Sequence, residues 1–148
     1  MTDPLERLMP GVPAPAAWLG LAGLLPFFAG AIAHWVMPGD VVRFLTIGYG
    51  VAILSFMGGC RWGFAAAGLG QGIQVGPLVL SVLPCLYGWA IAITPGGLPF
   101  FGLALGFVGL FVADVHLTKE GGAPPWWPAL RLPLSVGAAG SLVVAGLA

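Results

Sequence analysis

The sequence predicts an all-α fold, a polytopic membrane bundle of five transmembrane helices, from its hydrophobicity, its scarcity of charge and the length of its apolar runs. Of 148 residues, 59% are hydrophobic and 7% charged, and the mean hydropathy is +1.01. A soluble domain carries about 25% charged residues. Five Lys/Arg and five Asp/Glu are too few to cover a 15.1 kDa globule in water. They suffice where most of the surface faces hydrocarbon. The formal net charge is zero, which leaves no basic footprint for nucleic acid.

A bilayer core requires roughly 20 apolar residues per helix. Five runs meet that length: Ala17–Met37, Val41–Phe64, Gly76–Thr94, Leu98–Leu117 and Leu130–Ala148. Between them lie Pro38-Gly39-Asp40, the glycine-rich Gly68–Gly76, Thr94-Pro95-Gly96-Gly97 and Thr118–Pro128. Unpaired backbone groups are not tolerated in lipid, so each run is expected to be helical. The apolar/polar alternation of an outer-membrane strand is absent from the sequence. No polar linker divides the chain, and one integral membrane domain over residues 1–148 is the expectation.

Arg7, the apolar run and Ala31-Ile32-Ala33 imitate a signal peptide. The Pro-rich residues ahead of the run favour a retained first span. Within them, Leu5–Met9 is expected to lie as a short amphipathic turn on the membrane surface. Five spans put the termini on opposite sides. Arg7, Arg61, Lys119 and Arg131 share one side, with Arg43 alone on the other, so the N-terminus is expected in the cytoplasm. The six tryptophans, at 18, 35, 62, 89, 126 and 127, fall near span ends, where interfacial aromatic belts form.

Two stripes of small residues are expected to be packing seams. Span two carries Gly48, Ala52, Ser55, Gly59 and Gly63, and span four carries Gly102, Gly106, Gly109 and Ala113. Each set shares one helical face, and small-xxx-small spacing allows close backbone approach in lipid. The alternative is a groove for a lipid or quinone tail. Pro84 should kink span three by removing the bond to the Leu80 carbonyl, with Ser81 supplying local hydrogen bonding.

Catalytic and metal-binding constellations are not apparent. His34 and His116 belong to opposite ends of their spans, more than roughly 20 Å apart, which is too far for one haem, and His34 is expected at the interface beside Trp35. Cys60 and Cys85 differ in depth and read as small apolar residues. Ser55 has no base at its level. HExxH, paired CxxC and phosphate-loop patterns are missing. The chain is therefore expected to be non-enzymatic, with no catalytic residue, cofactor or metal.

One polar cluster remains, formed by Arg61, Trp62, Asp114 and Arg131 toward the cytoplasmic end. Ionisable groups in membranes are costly and either pair or mark a function. Asp114 is expected to pair with Arg61 first and Arg131 second. Snorkelling of the cations to headgroups is the alternative.

The segment Tyr49-Gly50-Val51-Ala52-Ile53-Leu54-Ser55-Phe56-Met57-Gly58-Gly59-Cys60-Arg61-Trp62-Gly63 resembles the signature of the domain-of-unknown-function 3429 family. These are bacterial membrane proteins related to the mitochondrial transmembrane protein 69. Ser81-Val82-Leu83-Pro84, Asp114 and Arg131-Leu132-Pro133-Leu134 resemble its later segments in the same order. The resemblance implies a five-helix protein of the bacterial inner membrane and imports no activity. The leading expectation is an accessory, assembly or stabilising component of a larger membrane complex, with the lipid bilayer and either other membrane subunits or further copies of itself as partners. The alternatives are a small oligomeric transporter or channel using Asp114 and Arg61, and a quinone- or lipid-binding protein.

Overall fold

The computed structural model describes residue 7 and residues 9–148. Among the described residues the chain is helical throughout: α1 (Ala14–Ala22), α2 (Leu25–Val36), α3 (Asp40–Ala66), α4 (Val75–Ala92), α5 (Leu98–Lys119) and α6 (Trp127–Gly146). With α1 and α2 taken together, five helices are long and apolar enough to cross a membrane. The amphipathic turn expected over Leu5–Met9 falls largely outside the described residues; Met9, which is among them, is buried.

Prolines mark where four of the six helices begin. Pro15, Pro26, Pro99 and Pro128 each occupy the first turn of a helix, where a missing N–H costs nothing and the fixed φ is already helical. Pro128 is thus an initiator, so α6 starts at Trp127, three residues ahead of the run expected from hydropathy. Pro26 has the opposite effect on the helix before it. It cannot donate to the Ala22 carbonyl, and the first span breaks between α1 and α2. The Gly23 carbonyl at the break accepts a 2.8 Å hydrogen bond from the Tyr49 hydroxyl of α3. A backbone acceptor freed inside lipid is thereby satisfied from a neighbouring helix.

Spans one, two, four and five close a ring: α2 packs on α3 and α6, α5 packs on α6, and α3 meets α5. Span three, α4, lies across the face made by α3 and α5. The core of the ring is aliphatic and aromatic, with Leu54, Leu103 and Leu142 buried. At its centre the Phe27 ring meets Tyr49 and Phe107 edge-on, with centroids 5.0 and 5.6 Å away. That geometry is favoured by the ring quadrupoles.

Pro84 lies inside α4 and is buried. The Ser81 hydroxyl donates to the Leu78 carbonyl at 2.6 Å, not to the Leu80 carbonyl that Pro84 leaves free. Gly58 of α3 sits against this turn of α4. A Cβ built on it would fall 2.5 Å from the Ser81 carbonyl oxygen and 3.5 Å from the Pro84 ring. Gly102 and Gly106 of α5 are similarly close to α4, their added Cβ atoms falling 2.6 Å from Ile91 and 2.7 Å from Tyr87.

The stripe expected as the seam of span two is not a seam within this chain. Gly48, Gly59 and Gly63 would meet nothing within 4 Å, and Ala52 is exposed. Ser55 is half-buried and donates to the Val51 carbonyl of its own helix. The inward face carries Gly50, Leu54, Gly58 and Ala65 instead. The two faces are hard to separate by hydropathy because α3 is apolar nearly all round. On α5, Gly109 also faces open space, and Ala113 is half-buried. That seam is confined to Gly102 and Gly106.

Two further placements differ from expectation. His34 is 8% exposed, its Nδ1 2.9 Å from the Gly30 carbonyl and its ring edge-on to Phe100 at 4.9 Å. It packs between helices and does not reach out to the interface. Of the tryptophans, Trp18, Trp35, Trp62 and Trp89 are exposed and Trp126 half-buried, but Trp127 is 5% exposed. Adjacent helical residues point about 100° apart, so a Trp-Trp pair at a helix start cannot put both rings in the belt.

Candidate functional site: a buried Arg–Asp–Arg triad

Three helices supply the site. Arg61 lies one to two turns before the end of α3, Asp114 lies in the last turns of α5, and Arg131 lies in the second turn of α6. Because successive spans run antiparallel, these positions share one end of the bundle. The Asp114 carboxylate bridges the two cations: Arg61 Nη1 donates to Oδ1 at 2.7 Å and Arg131 Nε to Oδ2 at 2.8 Å. Asp114 is 0% exposed and Arg131 1% exposed. The Arg61 side chain retains 12% exposure and is the one member that reaches the surface. Pairing of Asp114 therefore holds with both arginines, and Arg131 is the deeper partner.

One carboxylate between two guanidiniums leaves the triad with a net charge of +1. Trp62, grouped with these residues by sequence, stands apart: it is 48% exposed on the side of α3 that faces α4, beside Val79 and Leu83. Trp127 takes its place. Its ring is edge-on to Phe64 at 5.0 Å, one turn before Arg131 on α6. Among the described residues, Arg131 Nη2 and Trp127 Nε1 are both buried with no hydrogen-bond partner. The sequence signal for Trp127 was the Trp126-Trp127 pair four residues ahead of Arg131, which places one ring and the guanidinium on a common face.

Beside the triad, α1, α3 and α6 enclose a cavity of about 410 Å³. Its walls are almost wholly apolar, and Arg131 and Trp127 stand at one end. Cys60 also lines it and, like Cys85, is a free thiol. At the opposite end of the bundle, Arg43 stands over the Phe100 ring at 5.8 Å and donates to the Gly96 carbonyl. Among the described residues, no three His, Cys, Asp or Glu side chains converge as a metal site.

Fold and site together define a multi-pass helical membrane protein whose cluster of buried charge joins its second, fourth and fifth spans. The chain belongs to the family described as "Protein of unknown function (DUF3429)", which it matches over residues 12–147. It is similar to Transmembrane protein 69 of Xenopus tropicalis, 34% identical over 146 residues, covering 93% of this chain and 55% of that protein. It is also similar to Transmembrane protein 69 of Mus musculus, 32% identical over 141 residues, covering 89% of this chain and 55% of the relative. The chain thus spans about half the length of these curated relatives. No solved structure matches it.

Proposed function

We propose that the protein is a non-enzymatic accessory, assembly or stabilising component of a larger membrane complex, and that it docks through the outward face of α3. The observation that carries this reading is the row Gly48, Ala52, Gly59 and Gly63, which faces away from the chain's own bundle. Each interior glycine costs a helix about 1 kcal/mol relative to alanine, and here no contact within the chain offsets that cost. Close approach of a helix from another chain would. The triad supports a non-transporting role, since Asp114 is held by two cations and offers no free carboxylate for a moving ion.

Mild-detergent purification followed by mass spectrometry tests the proposal. The wild-type chain is expected to carry stoichiometric membrane subunits of another protein. Gly59→Leu should lose them while melting no lower than the wild type. Recovery of a homo-oligomer alone would favour the transporter reading and overturn this one.

The setting we propose is a bacterial inner membrane with the N-terminus in the cytoplasm, supported by the four-to-one Lys/Arg asymmetry between the two sides. A fluorescent protein fused to the N-terminus should mature, and alkaline phosphatase fused to the C-terminus should be active across the membrane. Reporters placing both ends on one side would eliminate this topology.

A further inference from the structure

The cavity between α1, α3 and α6 is lined by Trp127 and Arg131, whose Nε1 and Nη2 are buried without partners, and the geometry points to a binding site for one anionic phospholipid. Its phosphate would meet Arg131 Nη2 and Trp127 Nε1, and an acyl chain would lie along the cavity. This goes beyond the docking role, which uses a different face of α3.

Three observations converge. First, the charge is complementary. The triad carries a formal charge of +1, and Arg131 is 1% exposed. An uncompensated charge removed from water is expensive. A phosphodiester supplies the missing negative charge, and its oxygens accept from a guanidinium in the charge-assisted geometry that arginine favours.

Second, both orphaned donors belong to residues that line the same cavity. Buried N–H groups are nearly always hydrogen-bonded. Two within one helical turn, next to excess positive charge, call for an acceptor that is anionic and multivalent. A quinone carbonyl would satisfy a donor but leave the charge.

Third, the length fits. The cavity follows α6 from Trp127 to Ala138, about 16 Å at 1.5 Å per residue. One leaflet of the hydrocarbon core is about 15 Å deep. The volume of about 410 Å³ lies in the range of small-molecule sites, and its walls are apolar, as an acyl chain requires. Leu19 and Phe56 line the cavity and are exposed, so it opens at the lipid-facing surface and allows lateral entry.

The test uses the full chain, delipidated in a neutral maltoside detergent. Dioleoylphosphatidylglycerol should be retained as a single molecule in native mass spectrometry and should raise the melting temperature saturably, by about 5 °C or more. Dioleoylphosphatidylcholine should bind at least about tenfold more weakly. Trp127→Phe keeps the ring but removes the donor, and should weaken phosphatidylglycerol about threefold to tenfold without affecting phosphatidylcholine. Ala16→Phe fills the cavity with apolar volume, so the lipid-free protein should stay folded while losing the phosphatidylglycerol response. Equal binding of the two phospholipids would overturn the proposal, as would an unchanged response in Ala16→Phe. Shifts as large from oleate, inorganic phosphate or a short-chain ubiquinone would assign the site to a fatty acid, a soluble anion or a quinone instead.

Discussion

Asp114→Asn should be the most damaging single substitution in the charged cluster, costing about 3–5 kcal/mol, the range for breaking a buried ion pair by removing one partner. The carboxylate holds two guanidiniums, at 2.7 and 2.8 Å. Without it they remain as two like charges in a low-dielectric site, where their repulsion is poorly screened. Arg131→Met is a different case, because it leaves Arg61 and Asp114 as a neutral pair and should cost less. The double variant Asp114→Asn/Arg131→Met leaves only Arg61, whose partial exposure lets it turn toward headgroups or water. Its loss should therefore fall short of the sum of the single losses by about 1–3 kcal/mol, the coupling typical of residues in one network. Unfolding in mixed micelles of the wild type, both single variants and the double variant completes the cycle. Additive losses would show that the three side chains do not act as one unit.

The triad was legible in the sequence because charge is scarce there. With only ten charged side chains, each one inside a span needs an explanation, and antiparallel threading puts positions 61, 114 and 131 at one depth. Depth follows from hydropathy and the helical rise. Azimuth, meaning which side of a helix faces its neighbours, does not. In a soluble helix the polar face marks the outside, whereas in α3 both sides are apolar and lipid is as good a solvent for leucine as the core is. That is why the stripe through Gly59 and the seam through Gly58 were exchanged, and why Trp62 was grouped with the triad in place of Trp127. The break at Gly23 was missed for a related reason. Pro26 was visible, but the hydroxyl that satisfies the freed Gly23 carbonyl comes from Tyr49, a partner 26 residues away.

The exchange of faces makes a sharp test, because Gly58 and Gly59 are neighbours with opposite expected responses. A Cβ on Gly58 would lie 2.5 Å from the Ser81 carbonyl oxygen, a backbone atom of a helix already held by its own packing. The whole of α4 would have to move before a larger side chain could enter. Gly58→Leu should therefore destabilise the bundle by about 3 kcal/mol or more, at the upper end for overpacking. Gly106→Leu should approach that figure. Its Cβ would meet the Tyr87 ring at 2.7 Å, and the ring cannot swing aside freely because its hydroxyl is bonded to the Gly102 carbonyl at 2.7 Å. Gly59→Leu points into open space and should not destabilise the chain; relieving the helix of its glycine should add up to about 1 kcal/mol. Melting of the three variants in one detergent decides the matter. Comparable losses for Gly58→Leu and Gly59→Leu would mean that α3 is rotated from the orientation described, and the outward small-residue face would no longer be available to a partner.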